Sequence, residues 1–537
     1  MDGSISQHVA ERLQQLNAIG VALSAEKDTP RLLEMILLGA KRITGADGGS
    51  LYTATADGHL QFEIVRTDSM NIARGGTSGN AIAYAPIPLR DADGQPNDRM
   101  VVAYAALHER TVNIADAYSE QGFDFTGTRA FDAQTGYRSR SFLTIPMKNH
   151  ENDVIGVLQL INKRDAQSGA VMAFDADDQR LAESLASQAA VALTNKRLLS
   201  ELKALFEAFI QLIAGAIDDK SPYTGGHCRR VPVLTMLLAQ AAHAADSGPL
   251  KDFKLAEHDI YELEIAAWLH DCGKITTPEY VVDKATKLEA IFDRIHLVKT
   301  RYEILRRDAR ITCLERELAG DVAQARQAYA ATCQVLDDEL AFLERTNIGG
   351  EFMPPAHQER VKNIGQRAWQ DRSGATQPLL TENEIYNLCI ARGTLTAEER
   401  AVINNHIVAT IKMLEALPFP KHLRNVPEYA GGHHERMDGT GYPRGLKREQ
   451  MSVQARIMAI ADIFEALTAA DRPYKTALPL SQSLAILGKM KMGQHIDPDL
   501  FDIFIHSKVY LQYAQQHLTP QQIDINDPSE IPGYPFL

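Results

Sequence analysis

Gly432-His433-His434-Glu435-Arg436-Met437-Asp438-Gly439-Thr440-Gly441-Tyr442-Pro443 is the stretch from which the rest of the chain is best read. Two adjacent imidazoles stand ahead of a run of Gly, Asp and Pro, a tight loop able to aim both rings and several backbone donors at one point. Upstream, His270-Asp271-Cys272-Gly273-Lys274 follows the apolar run 265–269, which places the His-Asp pair at the end of a buried helix. Such a pair offers an imidazole nitrogen and a carboxylate able to bridge, a mixed donor set that suits iron, manganese or zinc. Downstream, Asp462 lies within 455–467, where the apolar periodicity is helical. A carboxylate buried there beside Ile460 and Phe464 needs a partner, and a metal, a salt bridge or a helix cap would each serve. The other His-Asp pair, His258-Asp259, has no Gly-Lys behind it, sits in a polar stretch and reads as surface.

Around these motifs, helices dominate from residue 221 onward. The apolar stretch 231–245 contains Gln240 and His243 and reads as a buried helix, short of the roughly 20 apolar residues that span a bilayer. Residues 290–345 are charge-rich with apolar steps of four and three (Ile291, Ile295, Val298, Tyr302, Leu305), which predicts a helical hairpin, and 349–378 reads as a long loop. The N-terminal half differs. Residues 4–43 carry a helical pattern, and short alternating runs at 50–55, 61–66, 141–147 and 154–161 predict strands. Between the halves, Leu181, Leu185, Gln188, Ala192, Asn195, Leu199, Leu202, Phe206, Phe209 and Ile213 alternate in steps of four and three. That spacing suits the seam of a parallel coiled coil, hence a homodimer through a connecting helix, or else a long amphipathic helix packed on its own domain.

A chain of 537 residues has room for more than one core. Five cysteines (Cys228, Cys272, Cys313, Cys333, Cys389) form no CxxC pair and argue against a disulfide framework. The first twenty residues lack a basic start and an apolar core, so the expectation is a cytoplasmic protein with no membrane segment. A formal net charge of -13 opposes binding to polymeric nucleic acid and leaves any anionic substrate in need of a local cationic site.

The ordered fragments GGHCRRV, HDCGK, HHERMDGTGYPRGL, ARIMAIADIFEAL and DRPYK resemble the signature of the HD-GYP family, a helical branch of the HD phosphohydrolases. The resemblance implies a phosphodiesterase with two divalent metal ions, iron or manganese first. One would be held by His227, His270, Asp271 and Asp462, and the second by His406, His433 and His434, with Asp271 bridging. Some members add a third metal through a Glu four residues before the first histidine. Tyr223 stands at that place, so a third metal is not expected. Two such cations activate a water and clamp the phosphodiester, with Lys274 meeting charge on the phosphoryl oxygens, so that Asp271 and Lys274 are the expected catalytic residues. By the same resemblance Gly441, Tyr442, Pro443, Arg472 and Lys475 contact substrate, although 467–472 holds one residue more than the common family spacing. The distance from Lys274 to His406 also exceeds the family's, which marks residues 290–380 as an insertion.

Residues 10–195 resemble a GAF domain, carried by 135–141, 145–147 and 155–163. Asn162, Lys163, Phe174 and Asp178 follow the pattern found in GAF domains of cyclic-nucleotide phosphodiesterases, with Gln179 in place of Glu, which suggests either a cyclic-nucleotide sensor or a domain in which the pattern supports the fold without a ligand. The expected architecture is therefore multidomain: an N-terminal α+β GAF domain, a long connecting helix over 178–216, and a C-terminal all-α HD-GYP domain over 217–520 with a helical insertion. The expected substrate is cyclic di-GMP. The alternatives are another cyclic nucleotide, such as cyclic GMP-AMP, or a receptor that binds cyclic dinucleotide and signals through a partner.

Overall fold

Strand β1 (Ala46–Ala54) lies at the middle of the N-terminal sheet, antiparallel to both β2 (His59–Thr67) and β7 (Val154–Arg164). The computed structural model describes residues 2–220, 226–350, 352–470, 477–525 and 527–534. They form two compact units, divided between Phe206 and Glu207. In the first, the sheet order is β3 (Ile72–Gly75), β2, β1, β7, β6 (Phe142–Lys148), β5 (Val112–Ile114), with β4 (Ile87–Pro88) on β2 and β8 (Val171–Met172) on β7.

The period-2 alternation of β1 and β7 sorts their side chains. Leu51, Leu158 and Leu160 join a core with α1 (Asp2–Ala25), α2 (Thr29–Thr44) and the start of α5 (Ala176–Lys220). Tyr52 and Val157 point to the other face, which α3 (Val101–Leu107) and α4 (Thr126–Thr135) cover. The single helical pattern read over 4–43 is two helices. Asp28 caps α2 by accepting from Arg31 N at 2.9 Å, and Pro30 falls in the first turn, where it needs no donor.

The connecting helix α5 runs 45 residues without a break. Its seam is divided, however. Leu185 is fully buried in the core of its own domain together with Ala182, Ala186 and Ala189, whereas Leu198, Leu202, Leu205, Phe209 and Leu212 form an exposed stripe. Any pairing through this helix therefore has only the second half available, where Leu199, Leu202, Phe209 and Ile213 of the seam are also exposed.

The second unit is helical. Its α6 (His227–Ala244) packs against α7 (Glu257–Leu269) and against α16 (Val453–Thr468). Between them come α8 (Glu279–Val282), the hairpin of α9 (Ile295–Leu318) and α10 (Val322–Asn347), α11 (Pro355–Gly365), α12 (Glu382–Leu388), α13 (Ala397–Asn404), α14 (His406–Glu415) and α15 (Val426–Gly431). Three helices, α17 (Leu480–Met492), α18 (Pro498–His506) and α19 (Val509–His517), close the unit.

The insertion has a core of its own, with Leu288, Val298, Leu336, Leu343, Val361 and Leu380 buried together. Its segment 349–378, read as a loop, contains α11 and a two-stranded hairpin, β9 (Ala368–Gln370) with β10 (Thr376–Pro378). Pro354 and Pro355 mark a helix start there rather than a break, because proline suits the first helical position. Lys287 ties the two ends of the insertion together. Its buried ammonium donates to Leu388 O at 3.0 Å and Ile390 O at 2.8 Å. Among the described residues, no helix is long and apolar enough to cross a membrane.

Candidate metal centre

Each histidine of the centre sits where an element begins or ends, which fixes its backbone while leaving its ring free to point inward. His227 opens α6, and its approach is set by Asp218, whose carboxylate accepts from Gly226 N and Cys228 N at 3.1 and 3.2 Å. His270 follows the last residue of α7, after the buried run Ile265, Ala266, Ala267 and Leu269. Asp271 then starts a short 3-10 turn, Cys272–Thr276. His406 opens α14, His433 and His434 follow α15, and Asp462 projects from α16.

The fold brings all seven together. Donor atoms of His227, His270, Asp271 and Asp462 lie within 4.8 Å of one another, as do those of Asp271, His406, His433 and His434. Asp271 belongs to both sets through different oxygens. Its Oδ2 is 3.2 Å from His227 Nε2 and 3.3 Å from His270 Nε2, while its Oδ1 is 3.2 Å from His406 Nε2. Asp462 Oδ1 lies 3.3 Å from His227 Nε2.

Tautomers decide what such a cluster can hold. His270, His406 and His433 each direct Nδ1 at the carbonyl three residues earlier, at 2.7, 2.5 and 2.6 Å. A carbonyl only accepts, so the proton is on Nδ1 and a lone pair on Nε2. His227 Nδ1 donates to Glu465 Oε2 at 2.5 Å, which turns Nε2 toward the centre. The Nε2 atoms of His227 and His270 stand 3.4 Å apart. Burial opposes charge on His227, but Glu465, Asp271 and Asp462 outweigh it and raise its pKa well above the ordinary value, a positive charge that a metal ion at Nε2 would replace. Asp271 Oδ1 and His433 Nε2 are buried without a hydrogen-bond partner, although burying such atoms unmatched is costly. The residues thus fit a pair of divalent ions on an observation independent of motif.

Charge is distributed unevenly across the centre. Burial works against the Asp271 carboxylate, yet Lys274 and the His270 and His227 rings outweigh it and hold its pKa well below the usual range. On the other side, burial and neighbouring rings keep His433 neutral, its pKa pushed down to about 4, and His434 lower than ordinary as well. Neutral imidazoles beside an ionised carboxylate are the protonation states that ligation requires.

Glu465 escapes a motif-based reading because a lone Glu in a helix carries no signal. It is fully buried one turn beyond Asp462, and its other oxygen accepts from Arg230 Nε at 2.7 Å. Burial opposes its charge, but His227 and Arg230 prevail and lower its pKa to about 2. One helix thereby supplies a ligand, Asp462, and the group that orients another, His227. Such carboxylate–histidine pairs set ring orientation and basicity. Glu465→Gln is expected to weaken manganese binding by about 10- to 100-fold, read by calorimetric titration of metal-free protein. Unchanged affinity would remove the orienting role.

Lys274 donates to Asp271 Oδ2 at 2.5 Å, so it stands beside the shared carboxylate. The loop after His434 is built around Glu435, which is buried and accepts from Arg444 N and Leu446 N at 2.7 and 2.9 Å. Tyr442 stacks on the His434 ring, centroids 4.8 Å apart. Gly441 has no substitute there, since a Cβ would fall 2.4 Å from Arg436 N. Arg472, Lys475 and Tyr223 lie outside the described residues. His258 and Asp259 are on the surface, Asp259 serving α7 by accepting from Ala256 N at 2.9 Å.

A family model described as GAF domain matches residues 28–193, and one described as HD domain matches residues 381–500. The 3'3'-cGAMP-specific phosphodiesterase 3 of Vibrio cholerae is 26% identical over 298 residues, 56% of this chain and 38% of that protein. The 3'3'-cGAMP-specific phosphodiesterase 1 of the same organism is 43% identical over 90 residues, 17% of this chain and 21% of that protein. A cyclic di-GMP phosphodiesterase of Thermotoga maritima is 25% identical over 238 residues, 42% of this chain and 64% of that protein. The chain spans less than two thirds of the length of each of these relatives.

Proposed function

We propose that this chain, which carries a GAF domain and an HD domain, is a metal-dependent phosphodiesterase that hydrolyses a cyclic dinucleotide, cyclic di-GMP first. The observation that carries the reading is the shared Asp271, whose two oxygens face two separate sets of imidazole and carboxylate donors. His227, His270, Asp271 and Asp462 would hold one ion and Asp271, His406, His433 and His434 the other, with iron or manganese the best match to a His-rich set with two carboxylates. When bound, such ions supply Lewis-acid polarisation of the phosphodiester and a water acidic enough to attack it.

The remaining work belongs to side chains. Asp271 keeps its negative charge between the two donor sets. Lys274, at the same carboxylate, supplies the mobile cation that meets negative charge developing on the phosphoryl oxygens. Tyr442, stacked on His434 at the edge of the centre, gives a flat apolar surface on which a nucleobase rests. Regulation by the GAF domain, passed along α5, belongs to the same reading, and its check is a change in turnover on binding a GAF ligand.

A second substrate, 3'3'-cyclic GMP-AMP on the same centre, is favoured by the names of two of the relatives. Manganese- and iron-loaded protein offered cyclic di-GMP, 3'3'-cyclic GMP-AMP, cyclic di-AMP and 3',5'-cyclic GMP is expected to turn over cyclic di-GMP fastest. Rapid loss of cyclic GMP-AMP with cyclic di-GMP untouched would transfer the assignment. No turnover of any of the four by metal-loaded protein would end the enzyme reading.

A further inference from the structure

The first unit contains a cavity of about 460 Å³ between the sheet and helices α3 and α4. That volume falls in the range of small-molecule sites, roughly 300–1,000 Å³. Its walls are two groups of touching rings. Tyr52 lies 4.5 Å from Phe62, which lies 5.3 Å from Tyr84, and Phe125 lies 5.3 Å from Phe142. Polar atoms are few. Gln159 donates one amide hydrogen to Thr144 Oγ1 at 3.1 Å and accepts from Tyr52 Oη at 3.4 Å, which leaves its second amide hydrogen for a ligand.

The decisive feature is charge. Among the residues that line the cavity there is no Lys, Arg or His, and the single ionised side chain is Asp124. Asp124 stands at the start of α4 and accepts from Thr126 N at 2.9 Å, so the positive end of that helix is already met by a carboxylate. Lys163, the cation of the motif that suggested a cyclic-nucleotide sensor, is directed elsewhere. Its ammonium pairs with Asp175 at 2.7 Å and with Asp178, which also receives Arg12 at 2.5 Å. Asn162 is likewise spent on backbone, accepting from Arg140 N at 2.7 Å and donating to Arg138 O at 2.8 Å. Arg74 lies over the Tyr84 ring, 5.6 Å from its centroid, and does not line the cavity. A cyclic phosphate entering here would meet the exposed Asp124 carboxylate and no cationic side chain among the lining residues.

We infer that this cavity binds an uncharged aromatic heterocycle of one or two fused rings and rejects cyclic nucleotides. The rings give stacking surface and Gln159 gives one directional hydrogen bond, while the anionic ribose phosphate of a cyclic nucleotide finds no partner. The inference is independent of the metal centre, so the two fail separately.

Charge-matched pairs test it on the full-length chain by calorimetry and thermal shift: indole against indole-3-acetate, adenosine against cyclic AMP, and guanosine against cyclic GMP. The neutral member of at least one pair is expected to bind ten times or more tighter than its anionic partner. Ala85→Trp, at an exposed position of the lining, should abolish that binding while leaving turnover at the metal centre unchanged. Equal or tighter binding of the anion overturns the inference, as does neutral binding that survives Ala85→Trp. Absence of any neutral binding up to about 1 mM does so too.

Discussion

Asp271→Ala is expected to leave a folded chain that has lost both its metal and its turnover, the latter by more than about 10³-fold. The reason is that no other group can replace a carboxylate whose Oδ2 faces His227 and His270 and whose Oδ1 faces His406. Without it, each donor set loses an anion, and nothing negative separates two like cations. Lys274 also loses its partner at 2.5 Å and leaves the centre with a positive charge that Asp271 no longer offsets. Elemental analysis of protein purified under anaerobic conditions, circular dichroism and hydrolysis of cyclic di-GMP give the three readouts. Full metal content, or turnover within tenfold of the parent, would sink the shared-carboxylate reading. The same variant separates enzyme from receptor: a biological output that persists after hydrolysis has gone would favour a chain that binds cyclic dinucleotide and signals through a partner.

Four of the seven candidate ligands were legible because chemistry-bearing residues in adjacent pairs are rare, and His270-Asp271 and His433-His434 stand near glycines that permit a sharp turn; Asp462 stood out in an apolar helical run, and His227 and His406 only through the family resemblance. The groups that make those ligands competent were not legible. Glu465 meets His227 across 238 residues of chain, and Asp218 and Glu435 act by accepting backbone N–H groups, which any Asp or Glu can do. Nothing local distinguishes them from solvated carboxylates until the fold is known. The connecting helix shows a similar limit. Steps of four and three describe an apolar stripe but not what covers it, and here Leu185 meets its own core while Leu202 meets solvent. In the insertion, Pro354 and Pro355 were read as loop because proline carries opposite meanings inside a helix and at its first turn. The Asn162–Lys163 motif was a sound indicator of the GAF domain, and both side chains are engaged in holding that domain together.

Gly273→Ala is expected to damage the centre without touching a ligand. The 3-10 turn Cys272–Thr276 approaches α14 so closely that a Cβ on Gly273 would lie 2.0 Å from His406 O and 2.5 Å from Thr410 N. Both are backbone atoms, so no side chain can swing aside. The turn or the helix must move, and the hydrogen bond from Gly273 N to Thr410 Oγ1 at 2.9 Å lengthens with it. Overpacking of this severity costs on the order of 3 kcal/mol or more. The displacement falls on the contact between Asp271 and His406, because one residue begins the turn and the other begins the helix. Metal affinity at the His406, His433 and His434 set should therefore drop further than at the His227 and His270 set. Gly350→Ala is the matched control, since its Cβ meets nothing within 4 Å, and it should leave stability and metal binding as they are. Chemical denaturation and manganese titration of the two variants give the comparison. If Gly273→Ala is as stable as Gly350→Ala and binds metal equally well, close packing of this turn against α14 is not what holds the two donor sets together.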